Sequence, residues 1–239
     1  MPYEYQECTI VDIQQVSDHA RIFIIQFPDQ HTFQFRPGQF VMLNLPLNSK
    51  YTNRAYSIAS PPAANNRIEL VISLKATGKG THFLWEHVEI GSIILVSKKA
   101  LGKFALPENL DRDLCFISTG TGIAPLRSML LDLFATNKAH GRIHLIFGNR
   151  YEKDILYRNE FELLQKSHPE FNFIPVLSRE NPGWAGKIGY VHPVYEELYQ
   201  DKKPAYFYVC GWGEMIKETR MRLQAMGYEK EFIRFETYD

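Results

Sequence analysis

The chain changes its hydrophobic periodicity partway along, and that change constrains the fold more than any other feature. From about Tyr3 to Phe104 the apolar residues come in short runs, Arg21–Phe27, Gln39–Leu45, Arg54–Ala59, Arg67–Leu74 and Ser92–Ser97, with Pro37-Gly38, Pro61-Pro62 and Asn65-Asn66 between them. Runs rich in Val, Ile, Leu and Phe, separated by turn residues at close spacing, predict strands of an antiparallel β-barrel. One helix is expected inside this half, around Thr81–His87, directly after Gly78-Lys79-Gly80. After Asp111 the strand-like runs are Leu114–Ser118, Ile143–Phe147, Phe171–Leu177, Tyr206–Val209 and Phe232–Phe235. Amphipathic helices are expected between them, near Ala124–Ala135, Asp154–Lys166, Pro193–Tyr199 and Glu214–Met226, the last stopped by Gly227. Alternation of strand and helix predicts a five-stranded parallel α/β sheet with right-handed crossovers and a ligand crevice at the strand C-termini. Two domains are therefore expected, 1–106 and 107–239, divided in the Pro107–Arg112 stretch.

Composition narrows the classes. Lys plus Arg equals Asp plus Glu at 27 each, so no whole-molecule field draws the protein to nucleic acid or to an anionic membrane. The start, Met-Pro-Tyr-Glu-Tyr-Gln-Glu, carries acids and no apolar leader core, and no window is apolar over the roughly 18 residues a span requires. A cytoplasmic protein is expected. Cys8, Cys115 and Cys210 lie far apart, an odd count that suits reduced thiols, and no Cys-x-x-Cys or ferredoxin-type cluster is present to hold an iron–sulfur centre. His140 and His144 are separated by Gly141 and the second opens a strand, so no helical metal face is read there.

Two stretches have the residues that chemistry on a nucleotide needs. Ile117-Ser118-Thr119-Gly120-Thr121-Gly122-Ile123-Ala124-Pro125 runs from a buried strand into an apolar helix. Glycines there let backbone approach a pyrophosphate, Pro125 gives up an N–H that would be unpaired, and the helix N-terminus offers positive potential. It is neither Gly-x-Gly-x-x-Gly nor a Walker loop, and a plain strand-to-helix turn remains the competing reading. In Arg54-Ala55-Tyr56-Ser57-Ile58-Ala59-Ser60, alternation puts Arg54, Tyr56 and Ile58 on one face of a strand and Ala55 and Ser57 on the other. An ordinary barrel strand is one reading. A dinucleotide site is the other: Arg54 pairing pyrophosphate, Tyr56 stacking on a flat heterocycle, and the small Ser57 hydroxyl approaching a ring nitrogen. Gly78-Lys79-Gly80-Thr81, opening the inserted helix, suits phosphate or a simple loop equally.

Together these motifs resemble the ferredoxin–NADP reductase superfamily along essentially the whole chain. Arg54-x-Tyr56-Ser57 is similar to its flavin signature, Gly78-x-x-Thr81 to its second pyrophosphate loop, and Gly91-Ser92-Ile93 with Gly102-Lys103-Phe104 to its barrel-closing strand and turn. Gly120-Thr121-Gly122-Ile123-Ala124-Pro125 resembles the nicotinamide-nucleotide loop, and Cys210-Gly211 the pair that the family places beside the nicotinamide. Phe235-Glu236-Thr237-Tyr238 resembles the Glu-x-Tyr ending of the plant-type branch, whose terminal Tyr covers the flavin; here Asp239 follows it, a departure, and an exposed edge-strand Tyr is the alternative.

The resemblance implies FAD and NADPH as cofactors and a catalytic group of Ser57, Cys210 and Glu236, with hydride moving from nicotinamide to flavin where the strands bearing Ser57 and Cys210 face one crevice. Arg54, Ala55, Tyr56, Ser57, Gly78, Lys79, Gly80, Thr81 and Tyr238 would meet FAD; Thr119, Gly120, Thr121, Gly122, Pro125, Cys210 and Gly211 would meet the nicotinamide nucleotide. Ser178, Arg179 and Lys187, with Tyr190 nearby, offer a hydroxyl and two cations to a 2′-phosphate, whereas Glu180 beside them would favour NADH. With no cluster cysteines, the electrons need an external one-electron acceptor protein such as ferredoxin or flavodoxin. The alternatives are the reductase component of an oxygenase, a free-flavin or ferric reductase, and a non-catalytic nucleotide-binding subunit.

Overall fold

The computed structural model describes residues 3–29, 32–47, 50–179 and 182–238. They divide into two compact units: Met1–Leu106 with Arg127–Thr136, and Pro107–Leu126 with Asn137–Asp239.

The first unit holds β1 (Tyr5–Ser17), β2 (Ala20–Gln26), β3 (Phe40–Leu47), β4 (Lys50–Ser57), β5 (Arg67–Ser73), helix α1 (Lys79–Glu86) and β6 (Ile93–Ser97). All pairings are antiparallel, in the order β4-β3-β6-β1-β2-β5. Past Ser57 the chain crosses to the other end of this sheet, where the Ala59 N–H donates to Glu69 O of β5 at 2.8 Å. Strand periodicity makes the core: in β3, Val41, Leu43, Leu45 and Leu47 are buried while the residues between them are not. They pack with Phe23, Ile25, Ile68, Leu70 and Val96.

The longest strand, β1, falls outside the runs singled out above. Its sequence YQECTIVDIQQVS mixes polar and apolar residues, and register shifts between Ile10 and Asp12 and between Gln15 and Ser17 break its alternation. A bulge moves the side-chain pattern to the other face, so a strict period of two is not visible.

The second unit alternates β7 (Asp113–Thr119), α2 (Ile123–Ala135), β8 (Ile143–Asn149), α3 (Arg158–Ser167), β9 (Phe171–Leu177), β10 (Lys187–Ile188), α4 (His192–Leu198), β11 (Ala205–Gly211), α5 (Gly213–Ala225) and β12 (Ile233–Thr237), although residues 127–135 of α2 belong to the first unit. Its sheet is wholly parallel in the order β10-β9-β8-β7-β11-β12. The expected five strands are corrected to six. β10 has only two residues, both exposed, with Gly186 before it and Gly189 after it, too short to carry a periodic signal. The helix expected over Asp154–Lys166 is also later and shorter: a 3₁₀ turn covers Glu152–Asp154 and α3 begins at Arg158, because Tyr157 sits at φ 57°, a left-handed conformation that interrupts a right-handed helix.

Strand order fixes where ligands belong. From β7 the chain moves outward through β8 and β9 on one side, then returns to place β11 and β12 on the other, so the order reverses between β7 and β11. In open parallel sheets that reversal leaves the crevice at the strand C-termini. Here it falls at Thr119 and Gly211. No helix among the described residues is long and apolar enough to cross a membrane.

Candidate functional site

In the first unit the alternation along β4 sets the candidate flavin residues. Arg54 and Tyr56 are half-buried and Ala55 is exposed, while Ser57, where the strand ends, is buried. The Arg54 side chain lies against the start of α1: a Cβ built on Gly80 would stand 3.1 Å from Arg54 Cγ, so only glycine leaves room for this approach without a shift. Arg54 Nη1 donates to Asn53 O at 2.8 Å. Tyr56 packs against the barrel core, and burial pushes its phenol up to about 12, an effect the nearby Arg54 charge partly offsets.

Thr81 is buried, and its hydroxyl shapes the loop. It donates to Gly78 O at 2.9 Å and accepts from the Lys75 N–H at 3.1 Å. Helix α1 starts at Gly78 with no side-chain cap, so the backbone N–H groups of its first turn are the donors presented at that end, next to exposed Lys79. Arg54, Gly78, Lys79, Gly80 and Thr81 are thus gathered around one helix start.

In the second unit the glycine loop and the Cys-Gly turn interlock. Gly120 has φ 54° and nothing within 4 Å of an added Cβ, so its outer side is open. Gly122 is the reverse: a Cβ there would lie 2.4 Å from Cys210 O and 2.6 Å from Gly211 Cα. Gly211, at φ 138°, would bring a Cβ within 2.3 Å of Thr119 Oγ1. The same Thr119 hydroxyl accepts the Trp212 N–H at 3.1 Å. Thr121 is half-buried, and Pro125 is the third residue of α2, where its missing N–H costs nothing.

Parallel register builds a polar row across the end of this sheet. Cys210 pairs with Ser118 of β7 on one side and with Glu236 of β12 on the other, so the three side chains share one face. Tyr238, just beyond β12, donates its backbone N–H to Gly211 O at 3.1 Å. Burial, and then the Glu236 charge, raise Cys210 well above the ordinary thiol range; the neighbouring Tyr238 phenol offsets only part of this. Cys210 therefore stays a neutral thiol across the neutral and mildly alkaline range. Alkylation by iodoacetamide at pH 8, followed by mass spectrometry, is expected to label it at least about tenfold more slowly than a free thiol.

Ser118 was not among the residues expected here. It is fully buried and its Oγ has no hydrogen-bond partner among the described residues. The signal for it was a single hydroxyl inside an otherwise apolar strand. Because an unsatisfied buried hydroxyl costs about 1–3 kcal/mol, Ser118→Ala is expected to leave the melting temperature unchanged or raise it. A calorimetric scan checks this.

The residues read for a 2′-phosphate lie past β9. Arg179 is exposed, but the Ser178 hydroxyl donates to Asn149 O at 3.3 Å, and Lys187 Nζ is 2.9 Å from Glu197 Oε2. Trp184 pins this loop by donating Nε1–H to Lys187 O at 3.0 Å, and a Cβ on Gly186 would strike its ring at 2.4 Å. Tyr190 is exposed. Glu180 and Asp239, weighed in the sequence reading, lie outside the described residues.

Comparison with known proteins supplies independent findings. Residues 7–105 match the family described as an oxidoreductase FAD-binding domain, and residues 116–221 that of an oxidoreductase NAD-binding domain. The chain is 33% identical over 241 residues to ferredoxin–NADP reductase B of Sorangium cellulosum, covering 98% of this chain and 97% of that one. It is 28% identical to the anthranilate 1,2-dioxygenase electron transfer component of Acinetobacter baylyi, covering 95% of this chain and 67% of that one. The crystal structure of a ferredoxin NADP+ reductase from Neisseria gonorrhoeae with bound FAD and NADP superposes with a TM-score of 0.85 at 25% identity, covering 99% of both chains.

Proposed function

The chain belongs to the ferredoxin–NADP reductase superfamily and is an NAD(P)H-dependent flavoprotein oxidoreductase with FAD as cofactor, and from that premise we propose that it oxidises NADPH and delivers the electrons singly to a ferredoxin or flavodoxin. The observation that carries this reading is the interlock of Gly122 and Gly211 with Cys210 and Thr119, which pins the nucleotide loop against the Cys-Gly turn at the reversal of strand order.

The residues present fit both nucleotides. Arg54 and the first-turn N–H groups of α1 would hold the FAD pyrophosphate, and the half-buried Tyr56 offers a flat face to its ring system. The Ser57 hydroxyl, at the end of β4, would hydrogen-bond the ring edge. The open side of Gly120 and the N–H groups leading into α2 would take the NADPH pyrophosphate. Cys210 lines the nicotinamide place with an uncharged thiol, and Glu236 beside it supplies the carboxylate that hydrogen-bonds or relays a proton. Bound FAD supplies the redox chemistry, taking electrons as a pair and releasing them one at a time. The NADPH preference rests on Ser178, Arg179 and Lys187.

A second reading, the reductase component of an oxygenase, is favoured by the likeness to the anthranilate dioxygenase component. Steady-state acceptor profiling separates the two. Rapid reduction of ferredoxin or flavodoxin, well above that of free FMN and ferric chelates, supports the first; equal rates with all acceptors remove it. NADPH and NADH compared with ferricyanide as acceptor test the nucleotide preference in the same assay.

A further inference from the structure

We infer that helix α4 is an acid-released clamp on the nucleotide-binding end of the second unit, held closed by two buried histidines, His192 at its start and His144 against its end. The nucleotide side of this inference rests on the function proposed above. Two contacts tie α4 to that end. Lys187 of β10 lies 2.9 Å from Glu197 Oε2 of α4. Val191, the residue before α4, packs on the strand end beside the glycine loop: a Cβ on Gly148 would stand 2.9 Å from Val191 Cγ1 and 3.1 Å from Thr119 Cγ2, and Gly148 is the register partner of Thr119. His192 opens α4 and joins it to α5. Its Nε2 lies 3.2 Å from Glu218 Oε2, which leaves Nδ1 as the acceptor for the Tyr195 hydroxyl at 3.0 Å, with Thr219 Oγ1 at 3.3 Å. The charges around it are Glu218 and Arg222 of α5 and Glu196 of α4, and Arg222 Nη1 donates to Glu196 Oε1 at 2.9 Å.

His144, on β8, faces the other end of the helix. It pairs in register with Cys115 of β7, and the buried ring of Tyr199, which caps α4, meets it edge-on at 5.8 Å and 88°. Its Nε2 is buried with no hydrogen-bond partner among the described residues, and Asn172 Nδ2 of β9 lies 3.5 Å from its Nδ1. Besides Cys115 and Tyr199, the titratable groups around it are Lys203, Asp113 and Arg142. Both rings are thus set up to be neutral. A second proton on His192 takes the lone pair that receives the Tyr195 hydroxyl; on His144 it gives two N–H groups, one without an acceptor and one facing an amide donor. Burial lowers the pKa of His144, Lys203 adding to the effect and Asp113 opposing it; burial lowers that of His192 too, opposed by Glu218. An imidazole whose folded pKa lies below its unfolded one contributes stability that is whole above about pH 6.5 and is lost as pH falls from there toward the folded value. The loss falls on α4 because both rings meet it, and opening one element needs less free energy than unfolding the sheet. An open α4 frees Val191 from Gly148 and Glu197 from Lys187, so NADPH binding and clamp closure favour each other.

The test uses the full chain loaded with FAD and hydrogen exchange read by mass spectrometry, with rates corrected for the intrinsic pH dependence of exchange. Between about pH 7.5 and about pH 5.5 the protection of residues 187–199 is expected to fall by at least about tenfold, while that of β7 falls by less than about twofold. Saturating NADP+ at about pH 5.5 is expected to restore at least about tenfold protection to the same segment. In the variant carrying both His144→Gln and His192→Gln the fall with pH is expected to shrink to less than about threefold, because glutamine does not titrate. Protection of this segment that does not change with pH, or that falls equally in wild type and variant, overturns the inference. NADP+ that binds at about pH 5.5 and leaves the segment's exchange unchanged overturns it as well. If the variant does not fold, an NMR titration of the wild-type imidazoles decides: His144 and His192 both titrating below about pH 6.5 support the clamp, and either one titrating at or above it overturns it. A chain that binds NADP+ at neither pH would instead refute the function proposed above and the nucleotide side of this inference, while exchange in wild type and variant still decides whether α4 opens in acid.

Discussion

Gly122→Ala is expected to weaken NADPH binding severely while leaving FAD in place. The added methyl would lie 2.4 Å from Cys210 O and 2.6 Å from both Cys210 C and Gly211 Cα, all of them backbone atoms. Backbone cannot rotate aside as a side chain does, so either the Gly120–Gly122 turn or the Cys210–Gly211 turn must move. Forced overpacking costs about 1–3 kcal/mol in well-packed sites, and here all of it falls on the loop proposed to receive the nucleotide pyrophosphate. The expected result is a rise of about 100-fold in the KM for NADPH, with the visible flavin spectrum retained because Arg54, Tyr56 and α1 are untouched. Gly120→Ala provides the contrast. Nothing stands within 4 Å of its Cβ, so its penalty comes only from φ 54°. A smaller effect on KM than at Gly122 is expected, and steady-state kinetics on both variants check the order.

Ser57→Ala is the second large effect, and it falls on rate instead of binding. The hydroxyl is buried at the end of β4, one residue past half-buried Tyr56. Loss of a single preorganised hydrogen-bond donor at a reacting centre commonly costs about 100-fold or more in rate. FAD content should match wild type, since the stacking face of Tyr56 and the cation of Arg54 remain. Single-turnover reduction by NADPH reads the loss directly, free of any step at the acceptor. A rate within a fewfold of wild type would move the catalytic assignment away from Ser57.

Much of this architecture is legible in the chain because the two halves obey different periodicities. Val41, Leu43 and Leu45 alternate as a half-buried strand must, and Leu114–Ile117 form the unbroken apolar run of a strand covered on both faces. The nucleotide loop is visible for the same kind of reason, since glycines between a strand and a helix are rare without a need for close backbone approach. What that need is cannot be seen locally: Gly122 is glycine because Cys210 O lies against it, and that neighbour is brought in only by the pairing of β7 with β11.

The misses have physical causes too. β1 is hidden by its bulges and by the polar residues on its outer face, β10 by having two residues, and the late start of α3 by the left-handed turn at Tyr157. Ser118 takes its place beside Cys210 from register, which a single strand does not encode. Arg127 reads in sequence as one charge on an apolar helix, and only the fold shows it spent on Glu69 and Ala59 O.

The central claim is that one chain binds FAD and lets NADPH reduce it, and anaerobic mixing of the FAD-loaded protein with NADPH tests it most directly. The account predicts a yellow protein whose visible band bleaches within a single turnover, at a rate that saturates with NADPH. A protein that stays colourless with added FAD, or whose bound flavin keeps its colour under excess NADPH and excess NADH alike, would contradict it.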